Sequence, residues 1–295
     1  MLKFETDYLQ LISDCLGSGE FLPARNGNIF MLSGRQITID LADGFPLLSG
    51  KKISPKHFLH ELKWMLNGDT NIKYLNDNGS KIWDKWADKN GDLGPVYGKQ
   101  FRNFRGVDQV ANLIRGLKNE PFSRRHIISL WNPVELEWMA LPPCFYSFQV
   151  IVKKGTVDLV VSQRSADVFI GLPYDVCFYS VFLNLIVNTI NQEKCRHCNG
   201  NGRIEMLEHC PECYGEPKRP GRVIVNIGNA HVYAGHVAAC TEYISRFPLP
   251  AREKNPTIVF DRHLGEYNGL LDYHPVDVTF ENYDPLPFIP AEVYE

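Results

Sequence analysis

Few residues in this sequence could do covalent chemistry, and Cys144 has the most constrained setting among them, directly after Leu141-Pro142-Pro143. A lone cysteine is most often a small core hydrophobe, but a thiol beside cations becomes a nucleophile. Arg124-Arg125 and the run Gln163-Arg164-Ser165 supply cations and a hydroxyl of the kind that clamps a phosphate, and such cations would also lower a thiol pKa. Arginine pairs elsewhere are usually solvated. Glu61 lies in an apolar helical stretch beside Trp64, where it either snorkels to water or is a buried carboxyl with a tuned pKa. Asp175 stands inside "GLPYDVCFYS", an otherwise uncharged run. An unpaired buried charge is costly, so this carboxyl is exposed at a kink, paired with a cation, or kept protonated for a purpose.

A second set of residues reads as a metal site. Cys195-x-x-Cys198 and Cys210-x-x-Cys213 fall within residues 193–217, with Gly200, Gly202 and Gly215 allowing the tight turns that let thiolates converge. Two such pairs predict a tetrahedral zinc held by four sulfurs, with His197 or His209 able to replace one of them. With every position filled by protein, the metal is structural. The spacing resembles the zinc modules of DnaJ-type chaperones. Residues 193–222 carry six Lys/Arg against five Glu, so the segment offers little attraction to nucleic-acid phosphates.

These residues need a scaffold. The chain has 295 residues, 44% hydrophobic and 22% charged, enough for one large core or two ordinary ones. Thirty-one Lys/Arg against 34 Asp/Glu give a formal charge of −3 with no long run of one sign, so no general nucleic-acid or membrane surface is expected. The first fifteen residues interleave polar and apolar positions at helical spacing and lack the order of a signal peptide, which predicts a cytoplasmic protein. Val176 to Val187 is too short an apolar stretch to cross a bilayer and reads as a buried helix.

Ser54-Pro55 opens a helix whose Phe58, Leu62, Met65 and Leu66 share one face. Val107, Val110, Leu113, Ile114 and Leu117 predict another, stopped by Pro121. "FQVIVKKGTVDLVVSQ" predicts an antiparallel hairpin with Phe148, Val150 and Val152 opposite Val157, Leu159 and Val161. The fold class is α+β, a mainly antiparallel sheet covered by helices.

"HELKWMLNGDTNIKYLNDNG", "IWDKWADKNGDLGPVYGKQF", "SRRHIISLWNPVELEWMALPPC", "QRSADVFIGLPYDV" and "GNAHVYAGH" resemble successive signature segments of the thymidylate synthase family. The resemblance runs from about Phe21 to Glu295 and is interrupted by the cysteine-rich insert. It implies a single catalytic domain over residues 1–295, with 193–217 as an inserted zinc knuckle. It also implies a homodimer with shared active sites that moves a one-carbon unit from 5,10-methylenetetrahydrofolate to C5 of a pyrimidine deoxynucleotide. Cys144 is similar to the nucleophile that adds to C6 of the base. Arg25, Arg164 and Ser165 resemble phosphate ligands of one subunit, with Gln163 beside them at the substrate, and Arg124 and Arg125 resemble those donated by the partner. His231 and Tyr233 match the sugar 3′-hydroxyl pair. Glu61 resembles the carboxyl that organises water for proton transfer, Tyr97 the tyrosine that helps remove the C5 proton, and Trp83, Leu141, Asp167 and Gly171 the folate pocket.

Three departures from the family pattern bear on the substrate. The loop "ARNGNIFMLSG" is one residue short, Phe145 replaces a histidine that addresses the pyrimidine O4, and Asp175 replaces an asparagine. Uracil presents a donor at N3 and an acceptor at O4, whereas cytosine presents the reverse. A protonated Asp175 can donate to N3 and accept from the 4-amino group, so cytosine is the expected base and dCMP the expected substrate. The expected product is 5-hydroxymethyl-dCMP, since the closing residues "PAEVYE" place Glu292 and Glu295 where a lid would exclude water. Retained Trp83, Tyr97 and Leu141 leave dCMP methylation open, ordinary dUMP methylation is the other enzymatic reading, and a synthase-like RNA- or protein-binding module is the non-enzymatic one.

Overall fold

The computed structural model describes residues 2–191, 217–250, 253–260 and 270–294. Helix α1 (Lys3–Ser18) follows the polar–apolar spacing noted above and buries Phe4, Tyr8, Leu11, Ile12 and Cys15. Its Glu5 is wholly buried and accepts the N–H groups of Ser49 and Gly50, both at 2.7 Å, and the Tyr243 hydroxyl at 3.1 Å. One carboxylate thereby ties the first helix to the segment that leads into the second.

Strands β1 (Glu20–Ala24) and β2 (Gly27–Asp40) form a hairpin at the sheet edge. Helix α2 (Pro55–Asn67) begins at Ser54 with proline in its first turn, as its sequence predicts, and Gly68 ends it in the left-handed region at φ 82°. Short helices α3 (Lys73–Asp77) and α4 (Tyr97–Arg102) precede α5 (Gln109–Asn119), whose N-cap Asp108 accepts the Ala111 N–H at 2.9 Å. Val110, Leu113 and Leu117 are buried on α5, whereas Val107 lies outside the helix and is exposed.

Strands β3 (Ile127–Ser129), β4 (Phe145–Val152), β5 (Thr156–Asp167) and β6 (Arg219–Tyr233) complete a sheet of order β1-β2-β6-β5-β4-β3. The hairpin register matches the sequence reading, with Phe148 facing Val161, Val150 facing Leu159 and Val152 facing Val157. The neighbouring pair departs from it: β5 and β6 run parallel, joined through helix α6 (Gly171–Asn191). Parallel strands need such a crossover, so the sheet is mixed and the described residues include one βαβ unit. The long cysteine-rich segment between α6 and β6 hides that unit from a sequence reader. Helix α6 is apolar on most sides because it is packed on most sides, against β5, β6, α2 and α5. Helix α7 (Val237–Ser245) and the two-stranded sheet β7 (Thr257–Phe260) and β8 (Val278–Glu281) close the described structure.

No described helix is long and apolar enough to cross a membrane. Cys195, Cys198, Cys210 and Cys213 lie outside the described residues; among those described, no group of His, Cys, Asp and Glu could hold a metal ion. The described cysteines, Cys15, Cys144, Cys177 and Cys240, are free thiols.

Candidate active site

Strand register brings the candidate residues to one end of the sheet. In the parallel pair, Ser165 lies beside Asn229 and Asp167 beside His231, while Phe145 at the start of β4 faces Gln163 on β5. The carboxyl ends of adjacent parallel strands are where α/β sheets commonly open a crevice. Cys144 sits there, immediately ahead of β4, and its carbonyl accepts the Arg164 N–H at 2.7 Å. The Arg164 guanidinium donates to the carbonyls of Pro143 and Pro142, each at 2.9 Å. The dipeptide before the thiol therefore holds the arginine in place.

Tyr97 reaches the thiol from the first turn of α4. Three residues earlier Gly94, at φ 72°, lies so close to Trp138 that an added Cβ would come within 2.0 Å of its carbonyl oxygen. The Cys144 N–H donates to the Tyr97 hydroxyl oxygen at 2.7 Å. Burial holds the Tyr97 phenol well above its ordinary pKa, so it stays protonated, and with its oxygen accepting from Cys144 it keeps its own proton to donate. Burial also raises the Cys144 pKa, with Arg164 pulling it back only in part. The expectation that nearby cations lower this thiol's pKa fails because desolvation outweighs the single guanidinium.

Two carboxyls share the cleft. Glu61, on α2, accepts the Trp83 indole N–H at 2.8 Å, and burial pushes its pKa up to about 7. Asp175 lies in the second turn of α6 and accepts from the Gln163 amide at 2.7 Å. Burial raises its pKa to about 7 as well, against the pull of that hydrogen bond, and Asp167 adds a further upward push. Neither the solvent-facing kink nor a cation partner accounts for Asp175. The charges of Glu61 and Asp175 act on Cys144 and Tyr97, which places all four around one space. Phe145 is buried among Tyr97, Phe148, Phe178 and Tyr179 and so dries the side of the cleft where Gln163 meets Asp175.

At the other side, His231 donates its Nδ1–H to Asn229 Oδ1 at 2.9 Å, and burial lowers its pKa. Tyr233 meets the His231 ring edge-on at 5.1 Å and is close enough to Cys144 and Arg25 to feel both charges. Arg25 is exposed in the β1–β2 turn. Trp83 is buried with its ring 5.8 Å from that of Tyr97, and Leu141 is half-buried; Asp167 accepts the N–H groups of Phe169 and Ile170 at 3.0 and 3.1 Å, which starts α6 at Gly171. Arg124 and Arg125 are not part of this cleft. Both are exposed, Arg125 pairs with Glu120 at 3.2 Å, and Ile127 pairs with Gln149 well along β4. At about 3.4 Å of rise per residue, that register puts them roughly 20 Å from Cys144.

Several contributors carry no sequence signal of their own. His236 is fully buried, with Asp167 at 3.7 Å on one ring nitrogen and the Glu292 carbonyl at 2.7 Å on the other. Lys51, almost fully buried, donates to the Phe169 carbonyl and sits 3.7 Å over the Phe169 ring. Tyr294 stacks on Tyr233 at 4.2 Å and 12°. Gly235 is required beneath it, since a Cβ there would lie 2.0 Å from the Tyr294 hydroxyl. Glu292 is exposed and turns only its carbonyl inward, so it does not carry charge into the cleft as the sequence suggested, and Glu295 lies outside the described residues.

A thiol, a phenol and two carboxyls poised near neutrality around one partly apolar cleft define an enzyme-like site for nucleophilic attack coupled to proton transfer. The sequence model of the thymidylate synthase family matches residues 6–202 and 216–295, and the chain belongs to that family. The match begins earlier than the signature segments and passes over residues 203–215, inside the cysteine-rich segment. Members of the family transfer one-carbon units from methylenetetrahydrofolate to nucleoside monophosphates and are typically dimeric.

Proposed function

We propose that this enzyme transfers a one-carbon unit to C5 of dCMP and releases 5-hydroxymethyl-dCMP. The observation that carries the base assignment is Asp175, an acid with a pKa of about 7 whose strongest neighbouring charge is another carboxylate. A carboxyl held in that way is a proton donor at neutral pH, which cytosine N3 requires and uracil N3–H does not.

Cys144 adds to C6 of the base, with Arg164 favouring the thiolate against the burial that disfavours it. Arg25, Arg164 and Ser165 hold the phosphate and His231 and Tyr233 the sugar hydroxyl. A second copy of the chain supplies Arg124 and Arg125, which accounts for their distance from their own cleft. Exposed Ile127 and Ile151 on β3 and β4 give such a copy an apolar surface to cover.

Trp83, Leu141, Asp167 and Gly171 suit a flat heterocycle bearing N–H donors, because they combine apolar walls with one carboxylate. 5,10-Methylenetetrahydrofolate, when bound there, supplies the carbon. Tyr97 stays protonated and orients rather than takes a proton: once the carbon is attached, the C5 proton passes to ionised Glu61, and Cys144 leaves C6 as the ring double bond re-forms. Glu61, with one oxygen on Trp83 and a pKa of about 7, both gives and takes protons at neutral pH and activates the water that ends up in the product. The carbon stays at the oxidation level at which it arrives, so no reductant is consumed. Mass spectrometry of the product tests this: dCMP plus CH₂O is expected, and dCMP plus CH₂ with accumulation of dihydrofolate would contradict the hydroxymethyl assignment.

A further inference from the structure

We infer that Tyr179 determines which base the cleft accepts, by fixing the Gln163 amide in the orientation that makes one oxygen of Asp175 an acceptor and the other a donor. The inference rests on the assignment of Asp175 to the edge of the base. Tyr179 lies one helical turn beyond Asp175 on α6, and both it and Gln163 are buried. Its hydroxyl donates to Gln163 Oε1 at 3.2 Å. The Gln163 Nε2 group then donates to Asp175 Oδ2 at 2.7 Å and to the Ser165 carbonyl at 3.1 Å. Both amide protons and the amide oxygen are occupied, so the side chain has one satisfied orientation.

That orientation has a consequence for the acid. An N–H aimed at Oδ2 makes that oxygen an acceptor and leaves the carboxylic proton to Oδ1. Cytosine needs this polarity, a donor at N3 and an acceptor for its amino group. With Gln163 turned over, its carbonyl would face Asp175, the acidic proton would move to Oδ2, and Oδ1 would become an acceptor suited to the N3–H of uracil. The turned state would set the Gln163 oxygen against the Ser165 carbonyl and leave the Tyr179 hydroxyl proton without an acceptor in a dry interior. Around Tyr179 the neighbouring rings are Phe145 at 5.4 Å, Phe148 at 5.7 Å and Phe178 at 5.9 Å, which offer no substitute hydrogen bond. The Tyr179 hydroxyl therefore acts on the base through two other side chains, as a positioning residue.

Tyr179→Phe keeps the ring and removes only this hydroxyl. The test is kcat/KM for dCMP and for dUMP in the parent, in Tyr179→Phe and in Phe182→Leu, a buried packing change next to Phe148 that touches no polar group. The ratio of the two substrates within each variant cancels any loss of folded protein. A fall of about tenfold in the dCMP:dUMP ratio for Tyr179→Phe, with the Phe182→Leu ratio within about twofold of the parent, is the expected result. An unchanged ratio in Tyr179→Phe, or an equal fall in Phe182→Leu, would overturn the role of Tyr179 while leaving the base assignment standing. A parent that prefers dUMP would instead remove the base assignment and this inference with it.

Discussion

Asp175 and Glu61 give up stability at neutral pH to hold protons where the chemistry uses them. Asp175 moves from an ordinary pKa of about 4 when unfolded to about 7 when folded, so the native state binds a proton that the unfolded chain has released between those values. Its contribution to stability is fully present below the unfolded pKa and is lost as pH rises through the folded one. Asp175→Asn removes this penalty and keeps an oxygen for the Gln163 amide to bond. The variant should be more stable than the parent near pH 8 by on the order of 2 kcal/mol, a rise of roughly 4 °C in melting temperature, with the difference vanishing near pH 4. Thermal denaturation at the two pH values checks this, and an Asn variant that melts no higher than the parent near pH 8 would count against a strained acid at this position. The oddity of Asp175 could be read directly from the sequence, because a lone acid in an apolar run is a visible conflict. Its partner could not, since Gln163 lies on another element and meets it only through tertiary packing.

The closing segment shows how an element contributes through side chains that look unremarkable in sequence. Ile289 is buried, Val293 offers its carbonyl to Lys85 at 3.3 Å, and Tyr294 lies flat on Tyr233 above two close glycines, Gly27 and Gly235. The stack connects this segment to both the β1–β2 turn and the proposed sugar-binding pair. Tyr294→Ala should therefore raise the dissociation constant for the nucleotide roughly fivefold, the scale expected of one aromatic stack. Calorimetric titration of the nucleotide reads it, and an unchanged constant would mean that the stack does not reach the ligand. Helices α2 and α5 and the β4–β5 hairpin were legible because their apolar periods are long and their stops are proline, glycine or a Lys-Lys-Gly turn. The parallel β5–β6 pairing was not, because nothing in local alternation distinguishes a parallel neighbour from an antiparallel one. Tyr294 and His236 carry no local signal for a related reason: their roles come from chain segments far apart in sequence meeting at Tyr233 and Asp167.

At the scale of the molecule, the site is split between copies of the chain if Arg124 and Arg125 complete a neighbour's phosphate clamp. Cys144→Ser lacks the nucleophile and Arg125→Glu lacks the donated cation, so each homodimer should be nearly inactive. Mixing and re-equilibrating the two should restore about a quarter of the parent rate, because half the dimers are mixed and each carries one intact site. Activity that stays at the level of the separate variants would show that both residues serve the same chain. Selection of cytosine by a protonated Asp175 is read from the ratio of kcat/KM for dCMP over dUMP followed with pH. Ionisation of Cys144 affects both substrates alike and cancels in the ratio, whereas loss of the Asp175 proton does not. The expected parent prefers dCMP below about pH 7 and loses that preference progressively above it, and the expected Asp175→Asn variant prefers dUMP with a flat ratio. A parent that favours dUMP, or a dCMP preference that does not change with pH, would contradict this selection.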